Sequence, residues 1–265
     1  MIPLGDDNPA SRRPYVVYGL IIANAVVFLA QALGNFGNLS MIPYSVVHDM
    51  RVALILDQYG RPLVDQFGHM AVQKLPLIGP HPQWITLLTS MFLHGGLMHI
   101  GGNMLYLWIF GNNIEEVLGH VKFLIFYVVC GVLAALAHIF ASLHGSGAYI
   151  PTVGASGAIA GVLGAYLLLY PSARVHTLLM LGWWWETVDI PAIFVLGVWF
   201  LLQLTGTLGT GGLVGGGVAY WAHVGGFVAG MLLILMLGGR KLARPRRSYQ
   251  GPWNEDRPYP FRPWK

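Results

Sequence analysis

The chain has 265 residues, of which 55% are hydrophobic and only 10% charged, with a mean hydropathy of +0.59; an ordinary soluble domain carries about a quarter charged residues. That balance excludes an ordinary soluble domain and reads as a polytopic membrane protein. The formal net charge of +4 does not mark a nucleic-acid partner, because most Lys and Arg gather at the two ends of the chain, and the single cysteine, Cys130, provides neither a disulfide framework nor a Cys-based metal motif.

The opening stretch MIPLGDDNPASRRP is polar, and the apolar run after it lacks a small-residue cleavage site, so that run reads as a retained first span. A bilayer core of about 30 Å needs about 20 apolar residues per helix. On that ruler six spans are predicted: Tyr15–Leu33, Leu97–Asn113, Val121–Leu143, Ala155–Tyr170, Ile190–Leu208 and Val218–Leu237. The segment between the first two, about 34–90, holds Asp49, Arg51, Asp57, Arg61, Asp65 and Lys74. It is too polar to span and is predicted to be an external loop with amphipathic or re-entrant pieces. The fourth span is short and glycine-rich, bounded by Pro151 and Pro171, as expected of a helix enclosed by a bundle. Arg12 and Arg13 precede the first span and RKLARPRR follows the last, which by the positive-inside rule puts both termini in the cytoplasm. The expected organisation is a cytoplasmic N-terminal segment (1–14), a membrane domain (15–237) and a basic, Pro-rich cytoplasmic tail (238–265), disordered from Ser248 onward.

This topology brings polar residues of three spans to one depth near the external side. Polar groups inside a span are costly and by default suggest function. His99 and Asn103 are four residues apart and share a face of the second span; taken alone, the pair serves equally well as glue between helices. His94, near the membrane boundary, is expected to make a structural bond to the external loop. Ser156, between Gly154 and Gly157, reads on its own as a helix cap beside a small-xxx-small packing stripe. At a helix start, however, its hydroxyl lies beside exposed N–H groups and the positive end of the dipole, which suits a developing oxyanion. On the sixth span, His223 is followed by Gly226 and Gly230, which permit close approach to Gly157, Gly161 and Gly164. That approach would bring Ser156 and His223 within hydrogen-bond reach. A neutral imidazole there can take the serine proton and return it to a leaving amine, while Asn103, His99 and the Ser156 amide donate to the oxyanion. Every Asp and Glu lies outside the external halves of the spans, so the chemistry would run on a Ser-His dyad, with another group orienting the imidazole. The soluble G-x-S-x-G elbow is absent, since Ala158 stands where its second glycine would be.

The set HGGLMHIGGN (His94, His99, Asn103), GASG (Gly154 to Gly157) and AHVGG (Ala222 to Gly226) resembles the rhomboid family of intramembrane serine proteases. The resemblance extends to order, spacing and placement on the second, fourth and sixth spans, and covers roughly Tyr15 to Leu237. It implies an all-α, six-transmembrane-helix bundle that cleaves transmembrane or juxtamembrane segments of other membrane proteins. It further implies Ser156 as nucleophile, His223 as general base, and Asn103 and His99 in the oxyanion hole. His94, Gly154, Gly157, Gly226 and Gly230 would be structural support, and a mobile fifth helix with its following loop, about 190–217, would admit substrate and water. No cofactor and no metal are expected; the partners would be transmembrane protein substrates and the lipid bilayer, in a prokaryotic plasma membrane.

Two features depart from the family pattern. Ala160 occupies the position where many members carry an aromatic residue packed on the histidine, so His223 is expected to be oriented by other aromatic side chains. The Trp-Arg dipeptide common in the first loop is missing. The leading alternative is a catalytically inactive rhomboid-like protein that binds membrane clients, disfavoured because both Ser156 and His223 are present. A metal site of His94, His99 and His223 would lack the H-E-x-x-H pattern and nearby carboxylates. A transporter would show inverted repeats and charged mid-membrane sites, and neither is present.

Overall fold

The computed structural model describes residues 1–243 apart from 9, 35, 59–60, 65–69, 77–78, 144, 182 and 210–218. The tail from Ser248 and the end of the loop after the fifth predicted span lie outside the described residues. Six long helices fall on the six predicted runs: α1 (Tyr15–Leu33), α2 (Leu97–Leu118), α3 (His120–Ser142), α4 (Ser156–Leu169), α5 (Ala192–Gly209) and α6 (Tyr220–Met236). Of these, α1 and α3 are long and apolar enough by themselves to cross a membrane; α4 and α6 are shorter apolar helices.

Helix α4 is the centre of the bundle, packed against α2, α3 and α6. Every residue from Gly157 to Tyr166 is buried, which explains why this helix is apolar all round instead of amphipathic. Its seam with α6 is made of backbone. A Cβ on Gly226 would overlap the Gly157 carbonyl oxygen, and one on Gly230 would overlap that of Gly161. Only glycine permits the two helices to approach this closely, with Cα–H groups against carbonyls. Outward-facing residues of α1 such as Ile22, Val26 and Leu29 are exposed, as expected where lipid is the solvent.

The second helix runs past Asn113, where the sequence reading ended it, to Leu118. Hydropathy treats Glu115 and Glu116 as the end of the span, but both carboxylates are used to hold the start of α1. Glu115 accepts hydrogen bonds from the backbone N–H groups of Val16 and Val17, both at 2.9 Å, and Glu116 accepts from the Ser11 N–H at 3.0 Å. The first N–H groups of a helix have no partner within it and carry its positive dipole end, so an acid from a neighbouring helix completes α1.

The expectation of an all-helical protein needs correction at one end of the bundle. Strands β1 (Ile2–Asp6), β4 (Arg174–Leu181) and β5 (Trp184–Pro191) form an antiparallel sheet in the order β1-β4-β5. Within the first loop, β2 (Val52–Leu54) and β3 (Val72–Lys74) form a separate antiparallel pair. The β4–β5 hairpin lies between α4 and α5 and is rich in β-branched and aromatic residues, which favour strands. Ile190, read as the first residue of the fifth span, belongs to β5, and α5 begins after Pro191. The third strand comes from the far N-terminus: Ile2 pairs with Leu178 and Asp6 with Val175. Asp6 also accepts hydrogen bonds from the Tyr166 hydroxyl of α4 and from Asn113 Nδ2 of α2 at 3.0 Å, which ties the sheet to the bundle.

Candidate active site

The segment leading into α4 is clamped from both sides by the first loop. Thr152 and Met41 exchange backbone hydrogen bonds of 3.1 and 2.7 Å, and the Gly154 N–H donates to the Ser90 carbonyl at 2.9 Å. Gly154 has φ of +128°, a conformation that side chains disfavour. A Cβ at this position would also meet His99 Nε2 at 2.8 Å. The glycine thus sets the turn into Ser156, the first residue of α4, and lets the His99 ring lie beside it.

Across the α4–α6 seam, Ser156 Oγ lies 2.7 Å from His223 Nε2. The other imidazole nitrogen, Nδ1, is 2.7 Å from Gln203 Oε1 of α5, and the Gln203 side-chain N–H donates to the Trp199 carbonyl at 3.3 Å. The Trp199 ring lies 5.8 Å from the imidazole, tilted by 38°. Aromatic support for the histidine therefore comes from α5. Ala160 itself is fully buried in the core. Gln203 did not stand out in the sequence; the available signal was a lone amide in the apolar run VWFLLQLTG, where an unpaired polar group would be costly.

The remaining polar groups converge on the same space. A cavity of about 840 Å³ is lined by His99, Asn103, Ser156, Trp199 and His223 together with apolar side chains. Its volume is in the range of small-molecule sites, about 300–1,000 Å³. His99 Nδ1 accepts from the Gly95 backbone N–H at 3.3 Å, so in the neutral ring the proton resides on Nε2, the atom nearest Gly154. Asn103 is buried, and its Nδ2 has no partner among the described residues. Among the described residues, neither Asn103 Nδ2 nor His99 Nε2 has an acceptor, and both sit in the cavity that holds Ser156. An imidazole nitrogen against a hydroxyl, with N–H donors lining the same cavity, is the equipment for acyl transfer.

His94 is placed differently from expectation. Its ring nitrogens have no hydrogen-bond partner among the described residues. The link to the rest of the protein is through its backbone, whose N–H donates to Gln31 Oε1 at 3.0 Å and whose carbonyl accepts from Gln31 Nε2 at 3.2 Å. The Gln31 amide thereby joins α1 to the approach of α2. The His94 ring packs edge-on against His99 with centroids 5.1 Å apart. Burial, with the adjacent His99 as the second cause, lowers its pKa to about 4, so it packs as a neutral ring that backs His99.

The sequence model of the Rhomboid domain matches residues 81–240, more than half of the chain. The rhomboid protease GluP of Bacillus subtilis is 35% identical over 135 residues, 51% of this chain and 25% of that protein. Rhomboid protein 1, mitochondrial, of Saccharomyces cerevisiae is 30% identical over 151 residues, 56% of this chain and 40% of the yeast protein. Rhomboid-like protein 11, chloroplastic, of Arabidopsis thaliana is 27% identical over 194 residues, 69% of this chain and 64% of the plant protein. The matched region is thus less than two thirds of each of these relatives. With its apolar helices and a Rhomboid domain from α2 to α6, the chain belongs to the rhomboid family of helical integral membrane proteins.

Proposed function

We propose that the protein is an intramembrane serine endopeptidase that cleaves transmembrane or juxtamembrane segments of other membrane proteins. The observation that carries this reading is the 2.7 Å contact between Ser156 Oγ and His223 Nε2 inside a bundle of apolar helices. In the first half-reaction Ser156 Oγ attacks the scissile carbonyl carbon while its proton passes to His223 Nε2. The tetrahedral oxyanion accepts hydrogen bonds from the Ser156 N–H at the start of α4, from Asn103 Nδ2 and from His99 Nε2. The proton on His223 then goes to the departing amine, which leaves an acyl-Ser156 ester. Water, deprotonated by the same imidazole, hydrolyses that ester and restores the hydroxyl.

In this reading all six long helices span the membrane. Arg12, Arg13, Arg240 and Lys241 lie on the cytoplasmic side, and the Ser156 end of α4 opens toward the external side. Relatives named as mitochondrial and chloroplastic occur beside the bacterial one. We assign this chain to a prokaryotic plasma membrane from its resemblance to the bacterial protein.

The test is purified protein reconstituted in liposomes with a panel of single-span substrates. Ser156→Ala and His223→Ala are each expected to abolish cleavage, and a fluorophosphonate probe should label wild type but not Ser156→Ala. Undiminished cleavage by either variant would overturn the dyad. Stable binding of the substrates without cleavage by wild type would instead support the client-binding alternative.

A further inference from the structure

The tautomer of His223 follows from a short chain of hydrogen bonds that ends on a group with only one role. The Trp199 carbonyl can only accept, so the amide nitrogen of Gln203 must be the atom facing it at 3.3 Å. The Gln203 carbonyl oxygen is then left toward His223 Nδ1 at 2.7 Å. An amide oxygen also only accepts. Nδ1 therefore carries the ring proton, and Nε2 presents its lone pair to Ser156 Oγ at 2.7 Å. The opposite tautomer would set lone pair against lone pair at Gln203 and leave Nε2 unable to take the serine proton. Among the described residues, the titratable groups that neighbour His223 from α2 and α3 are His99 and His138. Neither is an acid that could replace the amide.

Resting on the dyad reading, we propose that Gln203 is the positioning residue of the base, selecting the Nδ1–H tautomer and the ring direction that a carboxylate selects in a Ser-His-Asp triad. A neutral amide does this without burying a charge among apolar helices, where an ionised carboxylate would be costly. Trp199 and Gln203 lie four residues apart and share one face of α5, the first against the imidazole ring and the second at its edge. The opposite side of α5 is exposed at Phe194 and Leu201. The dyad is carried by α4 and α6, but its geometry is set by a third helix at the edge of the bundle. Any displacement of α5 that breaks the Gln203 bond frees the imidazole to turn.

The test compares Gln203→Met, which fills similar volume without an acceptor, with Gln203→Glu, which keeps the acceptor and adds charge. Reconstituted wild type and Ser156→Ala are assayed alongside, so a failure of the dyad reading shows as cleavage by Ser156→Ala and is distinguished from a failure at Gln203. Gln203→Met is expected to lose about 10- to 100-fold in kcat, the effect of one hydrogen bond to a developing charge. Its KM should change little, and fluorophosphonate labelling should slow in parallel. Gln203→Glu should retain most of the activity, with the acidic limb of its pH–rate profile moved to higher pH, because the added carboxylate favours the imidazolium. Val26→Ala, on the exposed outer side of α1, should leave kcat and the profile unchanged. Wild-type kcat in Gln203→Met would overturn the proposal. Equal losses in both Gln203 variants with an unmoved acidic limb would also overturn it, since that is the signature of packing alone. If Gln203→Met does not fold, as judged by its melting curve, the position of the acidic limb in Gln203→Glu still decides.

Discussion

Asn103 sits in the cavity with a buried side-chain nitrogen that bonds nothing among the described residues. An unmade hydrogen bond costs stability in the resting protein. The cost is understandable if the acceptor arrives only with the reaction, because a donor held ready for an oxyanion must not be occupied beforehand. Asn103→Ala is therefore expected to lower kcat by about 10²- to 10³-fold with little change in KM. Its melting temperature should be equal to or slightly above that of wild type, as measured by thermal unfolding in detergent. A marked loss of stability would instead make Asn103 glue between helices. The pairing of His99 with Asn103 was legible in the sequence because a spacing of four residues defines a helix face. Gln203 was not legible as a partner of His223, since the two are twenty residues apart in sequence and no spacing rule connects them across two helices. His94 illustrates a third case: its residue type suggested a bonding ring, whereas its position is held by backbone bonds to Gln31.

The seam between α4 and α6 converts a packing pattern into site geometry. Ser156 and His223 meet because Gly226 and Gly230 rest on the carbonyls of Gly157 and Gly161. Gly230→Ala would push a methyl group into the Gly161 carbonyl, and α4 has no free side on which to retreat. Overpacking of this kind costs about 1–3 kcal/mol, and more where backbone must move. The expected result is a lower melting temperature together with loss of cleavage, because the dyad is separated by the same displacement. Gly101→Ala is the matched control: a Cβ there meets nothing within 4 Å, and removing an interior helix glycine should leave stability equal or improved. The glycine pattern itself was readable from the sequence. Its register, with Gly226 opposite Gly157 and Gly230 opposite Gly161, depended on how two helices distant in the chain cross.

The far end of the protein is held by a sheet that joins the N-terminus to the loop between α4 and α5. Its anchor is Asp6, which accepts hydrogen bonds from Tyr166 and Asn113. Burial raises its pKa from 3.8 to about 7, more than the Tyr166 hydrogen bond lowers it, with Asp7 and His176 as weaker charges nearby. Between those values the folded protein retains a proton that the unfolded chain has lost. The stabilisation from protonated Asp6 is therefore complete below about pH 4, declines as pH rises and is gone above about pH 7. The slope is at most about 1.4 kcal/mol per pH unit. Asp6→Asn cannot ionise, so its advantage in melting temperature over wild type should be small near pH 4, grow up to about pH 7 and then level off. Parallel melting curves for the two proteins from pH 4 to pH 8 would show that Asp6 does not titrate in this window.

The amino-acid sequence by itself determined the membrane character, the six helical runs and the three short motifs on the second, fourth and sixth of them, because hydropathy, glycine content and i,i+4 spacing are properties of neighbouring residues. Tertiary structure alone decided that Glu115 caps α1, that β1 completes a sheet with residues some 170 positions away, and that an amide from α5 supplies the partner of His223. Each of these satisfies a buried polar group or an unpaired backbone donor. That requirement can be met by any suitable group the folded chain brings within about 3 Å, so it leaves no periodicity for a linear reading to detect.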